Sequence, residues 1–148
     1  MKKTIVLLFF GLLFLNAKGQ TNSDSLLVHR AALEYLEGFY EGDTLKLQRC
    51  LSPELHKYGY YKDQTGLYEG DKMSYTDAIA FAKNVLEKKR FAKPDAPKQV
   101  NVIEVQEKIA CVKVVAWWGM DYLLLAKHGE NWRIEQVIWQ GPLKTVRR

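Results

Sequence analysis

Four strand-like runs joined by very short links fill the C-terminal part of the chain, and they constrain its fold more than any other feature. The runs cover residues 99–106, 109–118, 120–128 and 131–140, and each is rich in β-branched and aromatic residues. Their links are Glu107-Lys108, Gly119 and Gly129-Glu130. A link of one or two residues cannot carry the chain across a sheet for a parallel return, so these neighbours must be antiparallel, and the four form a meander. A sheet of this kind twists and curls, and its concave face needs a cover. The residues ahead of it supply one. Helices first and strands last make the class α+β. Helices laid on a curved antiparallel sheet leave a cone whose open end is a natural pocket.

The helices announce themselves by period and by caps. Over residues 23–41, Val28, Ala32, Tyr35, Leu36 and Phe39 fall on one face, with Arg30, Glu34, Glu37 and Glu41 opposite. Ser23 or Ser25 can cap the start and Gly42 the end. Asp43 then opens a short second helix that carries Leu47, Cys50 and Leu51 inward, and Pro53 stops it. Residues 56–61 read as extended, with His56, Tyr58 and Tyr60 on one side and Lys57, Gly59 and Tyr61 on the other. Residues 64–72 read as a polar turn region. Ser74 and Asp77 resemble a capping box for a third helix, whose apolar positions are Ala78, Ile79, Ala82, Val85 and Leu86; Pro94 and Pro97 end that half.

Ahead of all this stands a leader. Lys2 and Lys3 precede an apolar run from Ile5 to Leu15, and small residues at Ala17 and Gly19 suit a cut before Gln20. Eleven apolar residues in a helix reach only ~16 Å, about half a bilayer core. The expectation is therefore a signal peptide over 1–19, export to the periplasm or beyond, and one domain over 20–148 without a stable membrane anchor. Removing Lys2, Lys3 and Lys18 lowers the net charge from +5 to +2, which withdraws most of the case for a nucleic-acid partner. The run Lys88, Lys89, Arg90 and Lys93 reads as a solvated helix end. Cys50 and Cys111 each sit in an apolar stretch and are expected as free thiols. The sequence shows no metal-ligand spacing, nucleophile elbow, phosphate loop or dinucleotide fingerprint, and no cofactor is expected.

Several local strings resemble the putative lumazine-binding family of the nuclear transport factor 2-like superfamily. They are Tyr35-Leu-Glu-Gly-Phe-Tyr-Glu-Gly-Asp43, Leu51-Ser-Pro-Glu-Leu-His-Lys57, Asp121-Tyr122-Leu-Leu-Leu-Ala-Lys127, Gly129, Trp132-Arg-Ile134 and Gln136-Val-Ile-Trp139. The resemblance spans about residues 26–140. It implies a cystatin-like, cone-shaped α+β barrel and a homodimer through the outer sheet face. For activity it implies little, because isomerases, dehydratases, ligand carriers and protein-binding modules share the scaffold. Where the family's post-helix segment has His-Pro, this chain has Ser52-Pro53.

The expected pocket residues are Tyr35, His56, Tyr58, Tyr60, Trp117 and Asp121. Asp121 opens a central strand just before an apolar string, where a carboxylate can become a base near neutral pH. His56 and Tyr58 would be its acid or oxyanion donor. Adjacent strand residues point opposite ways, so Trp117 or Trp118 must face inward, and a flat heterocycle can stack there. Trp132 and Trp139 read as core or dimer-face anchors, with Val137 or Trp139 outward if Ile134 and Ile138 point inward. The first functional expectation is binding of a small apolar or aromatic molecule in the cone. The alternatives are a lyase or isomerase acting through Asp121, and a protein-interaction module without ligand.

Overall fold

The computed structural model describes the backbone of residues 4–143 and the side chains from residue 23 onward. The expected leader, residues 1–19, lies outside that side-chain description. The elements are α1 (Thr4–Glu41), α2 (Thr44–Cys50), β1 (Leu51–Lys62), β2 (Tyr68–Met73), α3 (Tyr75–Glu87), β3 (Gln99–Val105), β4 (Ile109–Ala116), β5 (Gly119–His128) and β6 (Asn131–Gln140). Among the described residues, no helix is long and apolar enough to cross a membrane.

The caps from residue 42 onward act where the sequence put them, whereas Ser23 and Ser25 do not cap the first helix, because α1 runs through both. Gly42 ends α1 at a φ of +71°, a conformation that favours glycine, and lies so close to α3 that a Cβ would stand 2.6 Å from the Leu86 backbone nitrogen. Asp43 accepts from the Leu45 and Lys46 amides at 2.9 and 3.1 Å. Ser74 and Asp77 form the full capping box on α3.

The six strands form one open sheet in the order β2-β1-β6-β5-β4-β3. The expected meander is there: β3 to β6 are antiparallel neighbours. The sheet as a whole is mixed, not antiparallel, because β1 lies parallel to β6. These two strands are far apart in sequence, so the short-link argument does not govern them. The expected turn at 64–72 overlaps β2, an edge strand paired with β1 and exposed on both faces except at Met73. An edge exposed on both sides has no apolar alternation to betray it.

Helices α1 to α3 pack on the concave face. Val28, Ala32, Tyr35 and Leu36 of α1 meet Val112, Val114, Leu123, Leu125 and Ile134 of the sheet in one buried core. Toward one end, the Lys127 ammonium holds the buried Asp24 carboxylate at 2.7 and 2.9 Å, and the Trp132 indole donates to the same carboxylate at 3.1 Å. This ties α1 to β5 and β6. Two expectations about the sheet fail for local reasons. Ile138 is 54% exposed, while Val137 and Trp139 turn inward. The pairing skips Glu135 between Ile134 and Gln136, and one extra residue reverses the alternation. Trp117 and Trp118 are not in a strand but form the two-residue turn between β4 and β5.

Candidate functional site

The strand pairing builds the site one row at a time. Gly59 of β1 sits beside Trp139 of β6, Trp139 beside Asp121 of β5, and Asp121 beside Val114 of β4. All of these share the concave face with Lys57, which belongs to the next row. A Cβ on Gly59 would lie 2.1 Å from the Trp139 indole nitrogen. Glycine is therefore required there for the indole to lie flat over β1.

Asp121 is completely buried, and so is Tyr35 of α1, which reaches it from the helix side. The Tyr35 hydroxyl donates to Asp121 Oδ2. The Lys57 ammonium donates to Tyr35 Oη at 2.6 Å and to Asp121 Oδ2 at 3.3 Å. The Trp118 indole donates to Asp121 Oδ1 at 2.7 Å. Both carboxylate oxygens are thus engaged, and every buried side-chain polar atom among the described residues has a partner. Four rings surround the ammonium: Tyr35 and Trp139 with centroids at 5.3 Å, Phe39 at 5.9 Å and Trp118 at 6.0 Å.

Burial governs the ionisation of this group of residues. It lowers the Lys57 pKa below the ordinary lysine value, and the Asp121 charge opposes only part of that effect. It raises Tyr35 well above the ordinary tyrosine value, and the neighbouring carboxylate adds to the rise. Tyr35 is therefore a neutral donor at any physiological pH.

A cavity of about 220 Å³ has Lys57 in its wall. Phe39 of α1, Phe81 of α3, Met73 and Asp71 of β2, and Trp117, Trp118 and Trp139 complete its wall. It is smaller than the ~300–1,000 Å³ usual for drug-sized ligands, which suits one or two fused rings. A hollow of about 330 Å³ on the convex sheet face, lined by Glu104, Ile109, Cys111, Leu124 and Gln136 among others, offers no comparable buried polar group.

The structure brings two of the six expected pocket residues, Tyr35 and Asp121, into direct contact, behind the cavity wall. Trp117 is at the rim and 55% exposed, while its neighbour Trp118 takes the inner position. His56, Tyr58 and Tyr60 are exposed on the convex face of β1, on the opposite side from Lys57. His56 therefore cannot pair with Asp121 as acid to its base. Lys57 is the residue that sequence reasoning missed. The signal was Leu55: an aliphatic residue with the parity of Lys57 and Gly59 marked that side of β1 as the buried one.

Cys50 and Cys111 are both free thiols. Cys50 is in the core on α2, while Cys111 faces outward on β4, so the sheet stands between them. Burial pushes the Cys50 thiol far up and keeps it inert. Among the described residues, no group of three or more His, Cys, Asp or Glu side chains could hold a metal ion.

Solved structures share this architecture. A nuclear transport factor 2-like protein of unknown function from Silicibacter pomeroyi DSS-3 aligns with a TM-score of 0.62 at 20% identity, over 80% of this chain and 96% of that one. A cystatin-like nuclear transport factor 2-like protein from Novosphingobium aromaticivorans aligns with a TM-score of 0.60 at 11% identity, over 85% and 86%. A third, from Methylobacillus flagellatus KT and of unknown function, gives 0.58 at 13% identity, over 82% and 91%. At these identities the likeness establishes the fold alone. No curated protein matches the chain. The putative lumazine-binding family matches residues 23–140, from within α1 to the last residue of β6, and the chain belongs to that family.

Proposed function

We propose that this protein binds a small, planar, mostly apolar molecule in the cavity at the mouth of the cone and does not turn it over catalytically. The carrying observation is the wall itself: five aromatic side chains, Phe39, Phe81, Trp117, Trp118 and Trp139, line one cavity together with a single buried lysine. Such a wall recognises a flat ring by stacking, and the amine offers one donor to a carbonyl or ring-nitrogen acceptor. Family membership supports a small-molecule ligand. Against proton-transfer catalysis by Asp121 stands its position. Both its oxygens accept hydrogen bonds, and the residue is not part of the cavity wall.

Titration of the purified protein with lumazine and with 2-naphthol, followed by tryptophan fluorescence, tests this. At least one should quench saturably. Phe81 lines the cavity yet is 41% exposed, so Phe81→Ala should fold normally and bind that probe about tenfold more weakly, a loss of ~1.4 kcal/mol. If neither compound gives saturable quenching, this occupant class is wrong.

Location and assembly are part of the proposal. Export is supported by the run from Ile5 to Leu15 behind Lys2 and Lys3, and by a family match that begins only at residue 23. A homodimer is supported by exposed Ile109, Tyr122, Leu124 and Ile138 on the convex sheet face. Protein recovered from the periplasm or medium should begin at Gln20 and scatter light with twice the monomer mass at micromolar concentration. An intact N-terminus would reject export, and a monomer mass would reject the dimer.

A further inference from the structure

Lys57 is placed unusually for a structural lysine. Its side chain is 7% exposed, its ammonium contacts a carboxylate and a phenol, and the residue lines an open cavity. As a stabilising device the pair with Asp121 is a weak choice, because apolar residues of similar volume commonly serve as well or better in a core. As a chemical device it is well supplied. Lys57 lines the cavity, Asp121 Oδ2 is 3.3 Å from its nitrogen to take a proton, and Tyr35 bridges the two as a relay.

We infer that Lys57 captures carbonyl compounds, forming a reversible imine with a neutral aromatic aldehyde or ketone seated among the tryptophans. This rests on the ring-binding reading above and names the class of ligand. The step balances without any oxidant or reductant. The ammonium proton passes to Asp121, directly or through Tyr35. The freed nitrogen lone pair attacks the carbonyl carbon, a C–N bond forms, and the carbonyl π pair moves to oxygen. One nitrogen proton crosses to that oxygen through solvent water in the open cavity. Asp121 returns its proton to the nitrogen, a nitrogen proton passes to the hydroxyl through solvent water in the open cavity, that hydroxyl leaves as water, and the C=N bond closes. The product is a protonated imine beside an ionised Asp121, so both the charge pair and the cation's contact with the rings survive.

Two further features fit this chemistry. Burial lowers the Lys57 pKa, so a larger share of this amine is neutral at pH 7 than of an exposed lysine. Asp71 at the cavity wall adds a negative charge, which disfavours anionic carbonyl compounds such as 2-oxo acids.

The test uses the full chain with 2-naphthaldehyde and sodium cyanoborohydride at pH 7, which freezes an imine as a secondary amine. Intact mass and peptide mapping then locate the adduct, while 2-naphthol, which cannot form an imine, reports ring binding in parallel. The expected result is one adduct, on Lys57, formed about tenfold faster than on exposed lysines such as Lys88 or Lys93 and suppressed by excess 2-naphthol. Binding of 2-naphthol with adducts only on exposed lysines would overturn carbonyl capture and leave ring binding standing. Failure of both 2-naphthol and lumazine to bind, with Lys57 unmodified, would remove both.

Discussion

Replacing Asp121 with alanine should lower the unfolding free energy by about 3–5 kcal/mol, because it leaves an ammonium buried without its counter-charge. Lys57 is held by one carboxylate and one phenol, and the phenol is itself oriented by that carboxylate. In Asp121→Ala the Tyr35 hydroxyl and the Trp118 indole lose their acceptor as well. Denaturant unfolding of the variant measures the cost. Removing the cation too, in Lys57→Met with Asp121→Ala, should recover a good part of the loss, since two apolar residues leave no unpaired charge. A single variant that loses less than ~1 kcal/mol would mean that water or another group satisfies Lys57 and that the pair does not anchor the cone.

Trp118→Ala is the second large effect, about 3–5 kcal/mol, in line with truncating a well-packed aromatic residue. The Trp118 ring meets Tyr35, Phe39, Tyr40 and Trp117 edge-on, with centroids 5.5 to 6.3 Å apart, and its nitrogen is the donor to Asp121 Oδ1. Trp118→Phe separates the two contributions. It keeps most of the packing, drops the donor to a buried carboxylate, and should cost about 1–3 kcal/mol. Both variants should also weaken ring binding, because Trp118 is part of the cavity wall. Unchanged stability in Trp118→Phe would show that Asp121 Oδ1 finds another donor.

Caps and strands were legible in the sequence because their causes are local. Asp43, Ser74 and Asp77 act within three or four residues of themselves, and the links at 107–108 and 129–130 leave the chain no alternative to a hairpin. Asp121 was legible as a carboxylate pushed into an apolar strand, and Tyr35 as part of the inward helix face. What was not legible depended on partners distant in sequence. The parity of β1 was read correctly, but the side that faces the cone is that of Leu55, not the expected side of His56, Tyr58 and Tyr60. The bulge at Glu135 leaves no compositional mark, yet it decides that Trp139 enters the cone and Ile138 does not. The parallel placement of β1 beside β6 is set by packing across the whole sheet, and without it Gly59 would not meet Trp139 at all.

The clearance above Gly59 also bears on how the family can vary. An indole lies where the side chain of residue 59 would otherwise be, so positions 59 and 139 share one volume. Neither can grow unless the other shrinks. In related sequences the two should change as a linked pair, a glycine at the first going with a large ring at the second and a larger residue at the first with a small one at the second. Relatives of the second kind would have a roomier cavity of different shape, and their ligands should differ accordingly.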